Sequence, residues 1–223
     1  MQARRTAFRT LLAVVWLLAA QVASANPVEE LFVAIRKDDR SAAERLLLRG
    51  VSANTVHPVH GPAIVYAAQD DSPAVVEALL LSPALDLEAR NGVGETALML
   101  ASARGNLTLV KLLIARRAQV NQPGWTALHY AAGNGRLQVV EYLLEHSAYI
   151  DAASPNGTTP LMLAARQEQA TVARFLMEQG ADPTLRNQSG LDAADYFQRN
   201  GDTRQAEWLR AAAVAFSREQ TRR

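Results

Sequence analysis

Apolar residues fall along this chain in short clusters of helical spacing, broken at regular intervals by polar, turn-forming stretches. Leu98, Met99, Leu100 and Ala101 lead to Gly105, and Leu109, Val110, Leu112 and Leu113 follow. The succession returns at Leu128, Ala131, Ala132 and Gly135 with Val139, Val140, Leu143 and Leu144, and again at Leu161, Leu163, Ala164 and Ala165 with Val172, Ala173, Phe175 and Leu176. Each passage predicts two short helices joined by a Gly or Asp turn, then an extended polar stretch carrying Asn-Gly or Pro. Weaker copies begin at Leu31, near Pro62 and at Gly190. The equivalent residues Leu31, Ile64, Leu98, Leu128, Leu161 and Ala194 stand 33, 34, 30, 33 and 33 positions apart. A unit of about 33 residues is therefore repeated about six times, and such a period predicts a solenoid.

Two helices of about ten residues cannot bury their apolar faces alone, so the units must stack. Small pairs at Ala67-Ala68, Ala101-Ser102, Ala131-Ala132 and Ala164-Ala165 allow close approach of the first helices. Leu79, Leu113, Leu143 and Leu176 fill the layer behind them, and the first helices should line the concave side. The expected fold is all-α, a helix-pair solenoid over residues 27–216 with short hairpin-type loops. Its units are expected at 27–57, 58–90, 91–120, 121–153, 154–186 and 187–216, followed by a frayed tail over 217–223. Charge on the first unit (Glu29, Glu30, Arg36, Lys37, Asp38, Asp39, Arg40) and on the last (Asp192, Asp195, Arg199, Asp202, Arg204, Glu207) suits ends that no neighbour covers.

The passage Gly124-Trp125-Thr126-Ala127-Leu128-His129-Tyr130-Ala131-Ala132-Gly133-Asn134-Gly135, with its Val139-Val140 and Leu143-Leu144, resembles the ankyrin repeat. Thr96, Thr126, Thr159, Pro160, Gly105 and Gly180-Ala181-Asp182 stand at matching positions, whereas most motif residues are replaced in the first, second and last units. His129 takes the place of the motif histidine and is expected to tie one unit to the next. Two departures follow from the spacing. The finger between units three and four is three residues short at Gln122-Pro123, which predicts a notch in the row of fingers. One extra residue lies near Ser82–Asp86, with Pro83 where the family unit has Gly.

The first 25 residues have a different character. Arg4, Arg5 and Arg9 precede a ten-residue apolar run, Leu11–Ala20, and small residues at Ala23-Ser24-Ala25. These are the three parts of a secretory signal peptide, with cleavage expected between Ala25 and Asn26. The run falls well short of the roughly 20 residues that span a bilayer; a retained membrane anchor is the alternative. The Arg4-Arg5 pair fits the twin-arginine pattern poorly, because Phe8 comes one place late. Cleavage would leave 20 basic against 22 acidic residues, a net charge of −2. The chain has no cysteine, which excludes disulfides, thiolate metal sites, thiol nucleophiles and a lipoprotein anchor. A cysteine-free exported chain fits a bacterial envelope, so a periplasmic or secreted location is expected, with the membrane met only transiently during export. Near-neutral charge gives no case for nucleic acid.

No nucleophile elbow, phosphate-cradling glycine loop or zinc-peptidase helix is present, so no enzyme and no cofactor is expected. His57 and His60 share one loop, yet no third ligand stands near them in the sequence, and zinc needs three or four; an enzyme using them with Asp70 is the remotest of the readings. The asparagines of the tripeptides at Asn106, Asn156 and Asn187 matter for glycosylation only in a eukaryotic host. The resemblance implies a module that binds another protein, as a monomer, through residues at the hairpin tips and on the exposed part of each first helix. Those positions hold Arg36, Lys37, Gln69, Asp70, Arg104, Asn134, Arg166, Gln167, Arg199 and Asn200, with Glu95, Trp125, Thr158 and Leu191 at the hairpins. Trp125 is the first choice as an anchor, since Trp and Arg are enriched where binding energy concentrates; packing along the neighbouring hairpin is its alternative role. Arg104, Arg166 and Arg199 recur at unit spacing and could meet an acidic partner, unless they simply form a solvated face.

Overall fold

The computed structural model describes residues 26–222, which hold twelve helices in six hairpins. The pairs are α1 (Pro27–Arg36) with α2 (Arg40–Leu48), α3 (Ala63–Gln69) with α4 (Pro73–Leu79), and α5 (Ala97–Arg104) with α6 (Leu107–Ala115). They continue with α7 (Ala127–Gly133) and α8 (Leu137–Glu145), α9 (Pro160–Arg166) and α10 (Ala170–Glu178), and α11 (Ala193–Arg199) and α12 (Thr203–Arg222). The fold is an all-α solenoid of paired helices. Its strands are two residues each: β1 (Val56–His57) pairs antiparallel with β2 (Gly61–Pro62), closing the finger between units one and two into a small hairpin.

The turns explain why the pairs form where they do. Each helix–helix turn carries one residue with left-handed φ, at Asp38, Asp71, Gly105, Gly135, Glu168 and Gly201, and these six positions keep the repeat spacing. At Gly105 (φ +80°) an added Cβ would stand 2.7 Å from Cδ of Arg136, whose guanidinium crosses the turn to donate to the Ala103 carbonyl. Every first helix but Ala63–Gln69, which follows Pro62, starts on a capping side chain. Thr96, Thr126, Thr159 and Asp192 accept from the backbone N–H three residues on, and loss of one such cap costs about 1 kcal/mol. The motif threonine is thus a helix cap.

The small pairs behave as their size requires. Ala67, Ala68, Ala101, Ser102, Ala131, Ala132, Ala164 and Ala165 are all buried between successive first helices, and Leu79, Leu113, Leu143 and Leu176 are fully buried behind them. From unit two onward the first helices lie closer to one another than the second helices do, which makes their side the inner, concave one. Between units one and two the order reverses, and α2 and α4 are in closer contact than α1 and α3.

Two expectations need correction. The tail expected to fray after residue 216 is part of the last helix, α12, which runs to Arg222. Nothing interrupts it, because no Gly or Pro follows Gly201 and Ala, Arg, Glu and Gln are good helix formers. The shortened finger is also no empty notch. Gln122 turns inward, 7% exposed, donating to the Glu88 carboxylate and accepting from Arg90 of the preceding finger. Asn121 reaches the other way, donating to the Ser147 carbonyl at 2.7 Å and accepting from Tyr149 N–H at 2.8 Å. Polar side chains bridge the gap that the missing residues leave. The expected signal peptide lies outside the described residues, up to Asn26, which caps α1 by accepting from Val28 N–H. Among the described residues no helix is long and apolar enough to cross a membrane.

Candidate binding face

His129 fixes the framework of the inner face. It is fully buried in the first turn of α7, where its Nδ1 accepts the Thr126 N–H at 3.2 Å and lies 2.9 Å from the Thr126 hydroxyl. With Nδ1 an acceptor, the ring proton is on Nε2, which donates to the Thr158 carbonyl of the next unit at 2.8 Å. Burial pushes His129 below the ordinary histidine range, so the ring is held neutral as a tie between units four and five.

Directly above that tie is a hollow of about 350 Å³, lined by Trp125, Tyr130, Gly133, Asn134, Leu163 and Gln167. Trp125 is half-buried and meets the His129 ring edge-on, centroids 5.2 Å apart. Tyr130 donates its hydroxyl to Glu95 at 3.0 Å, and Asn91 holds the other oxygen of that carboxylate at 2.8 Å. Burial and then the Glu95 carboxylate push the Tyr130 phenol up to about 12, so it stays a neutral donor. The floor is a close approach. An added Cβ on Gly133 would stand 2.9 Å from Cγ of Leu163, so the hollow exists because this one helical position has no side chain.

Of the residues singled out in the sequence, Trp125, Asn134 and Gln167 come together in the hollow, and Glu95 stands behind it through Tyr130. Arg104, Arg166 and Arg199 are exposed, but not in one register. Helix α5 is a residue longer than α9, which places Arg104 in line with Asn134, Gln167 and Asn200 and one place beyond Arg166 and Arg199. Thr158 is not available to a partner. It is 1% exposed, because its backbone is drawn in to receive His129 and its N–H is held by Ser154. Asn200 is exposed yet engaged, donating to the Ala165 and Arg166 carbonyls and so finishing α9. Sequence reasoning missed Tyr130, Gly133 and Leu163. The signal for Gly133 was present: the equivalent places hold Gln69, Ala103, Arg166 and Arg199, and only unit four has no side chain there.

Both ring nitrogens of His57 are engaged within the fold. His57 Nε2 faces Glu29 at 2.9 Å, and its Nδ1 accepts the N–H groups of Val59 and His60. His60 stacks between His57 and Tyr66, with centroids 4.6 and 4.4 Å away, so the pair helps build the first finger.

A family model described as ankyrin repeats (3 copies) matches residues 31–123 and 98–187. Similar proteins include the chicken (Gallus gallus) nuclear factor NF-kappa-B p105 subunit, 32% identical over 167 residues, which cover 70% of this chain and 17% of that protein. The mouse (Mus musculus) B-cell lymphoma 3 protein homolog is 32% identical over 151 residues, 64% of this chain and 34% of that protein. The mouse ankyrin repeat and SAM domain-containing protein 6 is 33% identical over 164 residues, 73% of this chain and 15% of that protein. The chain thus spans a minor part of the length of each relative.

Proposed function

Since this chain belongs to the ankyrin repeat family, we propose that it is a non-catalytic protein-binding module, an adaptor, scaffold or inhibitor acting in the bacterial periplasm. The observation that carries the reading is the hollow on the concave face. There a half-buried Trp, a Tyr and a Leu converge with two outward amides, the mixture of apolar anchor sites and hydrogen-bonding groups that protein interfaces use. Of the other polar groups singled out, His129 and Thr158 are buried and Asn200 donates within the fold, so the hollow is where apolar and hydrogen-bonding groups are offered together. Location in the periplasm rests on the signal-like first 25 residues, whose expected cleavage site stands immediately before Asn26, the cap of the first repeat helix.

A photo-crosslinking residue placed at Gln167, in cells exporting the full chain, tests the face. The control is the same residue at Glu178, exposed on the second helix α10. Adducts to another protein from position 167 and not from 178 are expected. Equal labelling from both positions, or none from 167, would remove this face. Intact mass of the periplasmic form tests export: a chain beginning at Asn26 is expected, and a chain retaining the first 25 residues in the membrane fraction would refute it.

A further inference from the structure

We propose that the hollow between units four and five seats one apolar side chain of an extended, acidic segment of the partner; this rests on the concave face being the binding face. Three observations lead to it.

The seat itself is apolar and specific to one place in the array. Its walls are the rings of Trp125 and Tyr130 and the side chain of Leu163, and its floor opens at Gly133, where any side chain would strike Leu163. At the equivalent places Arg166 and Arg199 carry long side chains. A volume of about 350 Å³ lies at the small end of ligand sites, which suits a single inserted side chain.

The rim presents peptide-like groups. Asn134 uses its amide N–H on the Tyr130 carbonyl at 2.8 Å, leaving its oxygen as an acceptor. The Gln167 amide makes no hydrogen bond among the described residues and offers both a donor and an acceptor. Two amides one unit apart match the alternating N–H and C=O of an extended backbone.

The edge of helix tips around the seat is positive. Arg104, Arg166 and Arg199 are exposed, and among the described residues none meets a carboxylate within 4.0 Å, whereas Arg40, Arg49, Arg186 and Arg210 each face one. On these same turns Glu168 is the exposed carboxylate, and Asp202 is occupied in capping Gln205 N–H. Glu95, on the opposite wall, already receives Tyr130 and Asn91. Over units three to six these turns carry Arg104, Arg136, Arg166 and Arg199 against Glu168 and Asp202, and the exposed Asp70 and Asp71 lie one unit beyond Arg104; the local excess of positive charge favours a partner with negative charge.

The spacing gives the segment its pattern. Neighbouring units lie about 10 Å apart, and an extended chain advances about 3.3 Å per residue. Arg104 and Arg199 each stand roughly one and a half units from the seat, so carboxylates about four or five residues on either side of the anchor would reach them.

Selection from a displayed library of random dodecapeptides on the immobilised chain 26–223 tests this, with Gly133→Gln, which fills the hollow, and Trp125→Ala, which removes a wall without filling it, as parallel baits. Circular dichroism checks that both baits fold. The expected pool has an apolar residue flanked at that distance by Asp or Glu. A synthetic peptide from it should bind at least tenfold more weakly to either variant and to Arg104→Glu with Arg199→Glu, and more weakly as salt rises. A basic or uncharged pool that is still lost on Trp125→Ala overturns the acidic partner and leaves the binding face standing. Peptides retained equally by all baits overturn the hollow. No enrichment, together with adducts from Gln167, overturns an extended segment; no enrichment and no adducts overturn both readings.

Discussion

Replacing His129 with Leu isolates the tie between units four and five. Leucine approximates the volume of the ring, so the main loss is polar. The Thr158 carbonyl loses its donor at 2.8 Å, and the Thr126 N–H and hydroxyl lose their acceptor, all at buried positions. One buried group left unpaired costs about 1–3 kcal/mol. With three affected and the Thr126 hydroxyl free to turn elsewhere, a loss of about 3 kcal/mol is expected at pH 7.5. Because a solenoid is stabilised by nearest-neighbour interfaces, weakening one should also broaden the transition and lower its apparent m-value. The sign with pH follows from burial. The folded-state pKa of His129 is lowered, so its contribution is full above the unfolded value near 6.5 and is lost as pH falls through the lower folded value. The difference between wild type and His129→Leu should therefore shrink from pH 7.5 to pH 5; His57, His60 and His146, present in both chains, cancel. Urea unfolding followed by far-UV circular dichroism at both pH values measures it. A difference under about 1 kcal/mol at pH 7.5, or one that does not change with pH, would refute the tie.

Other positions give sharp tests. Ser102 is fully buried, and its hydroxyl has no hydrogen-bond partner among the described residues; Ser102→Ala should raise stability by about 1 kcal/mol in the same urea assay. Gln122→Ala strips the bridge between Glu88 and Arg90, whose finger burial already makes Glu88 harder to ionise; a loss of about 1–2 kcal/mol is expected, with faster amide exchange at Gln119, whose N–H donates to Glu88. Gly105→Ala forces a left-handed φ on a side chain that meets Arg136 at 2.7 Å and should cost about 1–2 kcal/mol, partly recovered in an Arg136→Ala background.

The framework was legible because it is written in periods. The spacing of Leu31 to Ala194 located all six hairpins, and the small pairs identified the layer where first helices meet. The binding face was legible only in part. Trp125, Asn134 and Gln167 sit at positions that the repeat leaves variable, so the register alone points to them. Thr158 has the same register as Trp125 and Glu95, yet it is buried, because what fixes it is a backbone carbonyl receiving a histidine from the preceding unit. A cross-unit hydrogen bond to main chain leaves no mark in the type of the residue that accepts it. Gln122 shows the same limit from the other side. A missing stretch of three residues reads as a gap, and what closes it is two side chains of the short finger itself, Asn121 and Gln122, reaching to the fingers on either side. Gly133 could be read only as an absence, by comparing units with one another.

The hollow and the His129 tie share one interface, and this links binding to stability. Trp125 stands edge-on to His129, and the hollow runs from Gly133 of unit four to Leu163 of unit five. Anything seated there touches both units and adds to the contact that His129 already makes beneath it. A ligand that binds only the stacked arrangement stabilises that interface by mass action. By the same linkage, loosening the interface lowers the population able to bind. His129→Leu should thus weaken binding of a hollow-seated peptide although His129 is itself inaccessible, and the peptide should slow amide exchange across 158–165 in the wild type. A peptide whose affinity ignores His129→Leu while responding to Trp125→Ala would mean that the hollow belongs to unit four alone. Leu163 would then be a bystander, and filling its side by Leu163→Phe would leave affinity unchanged.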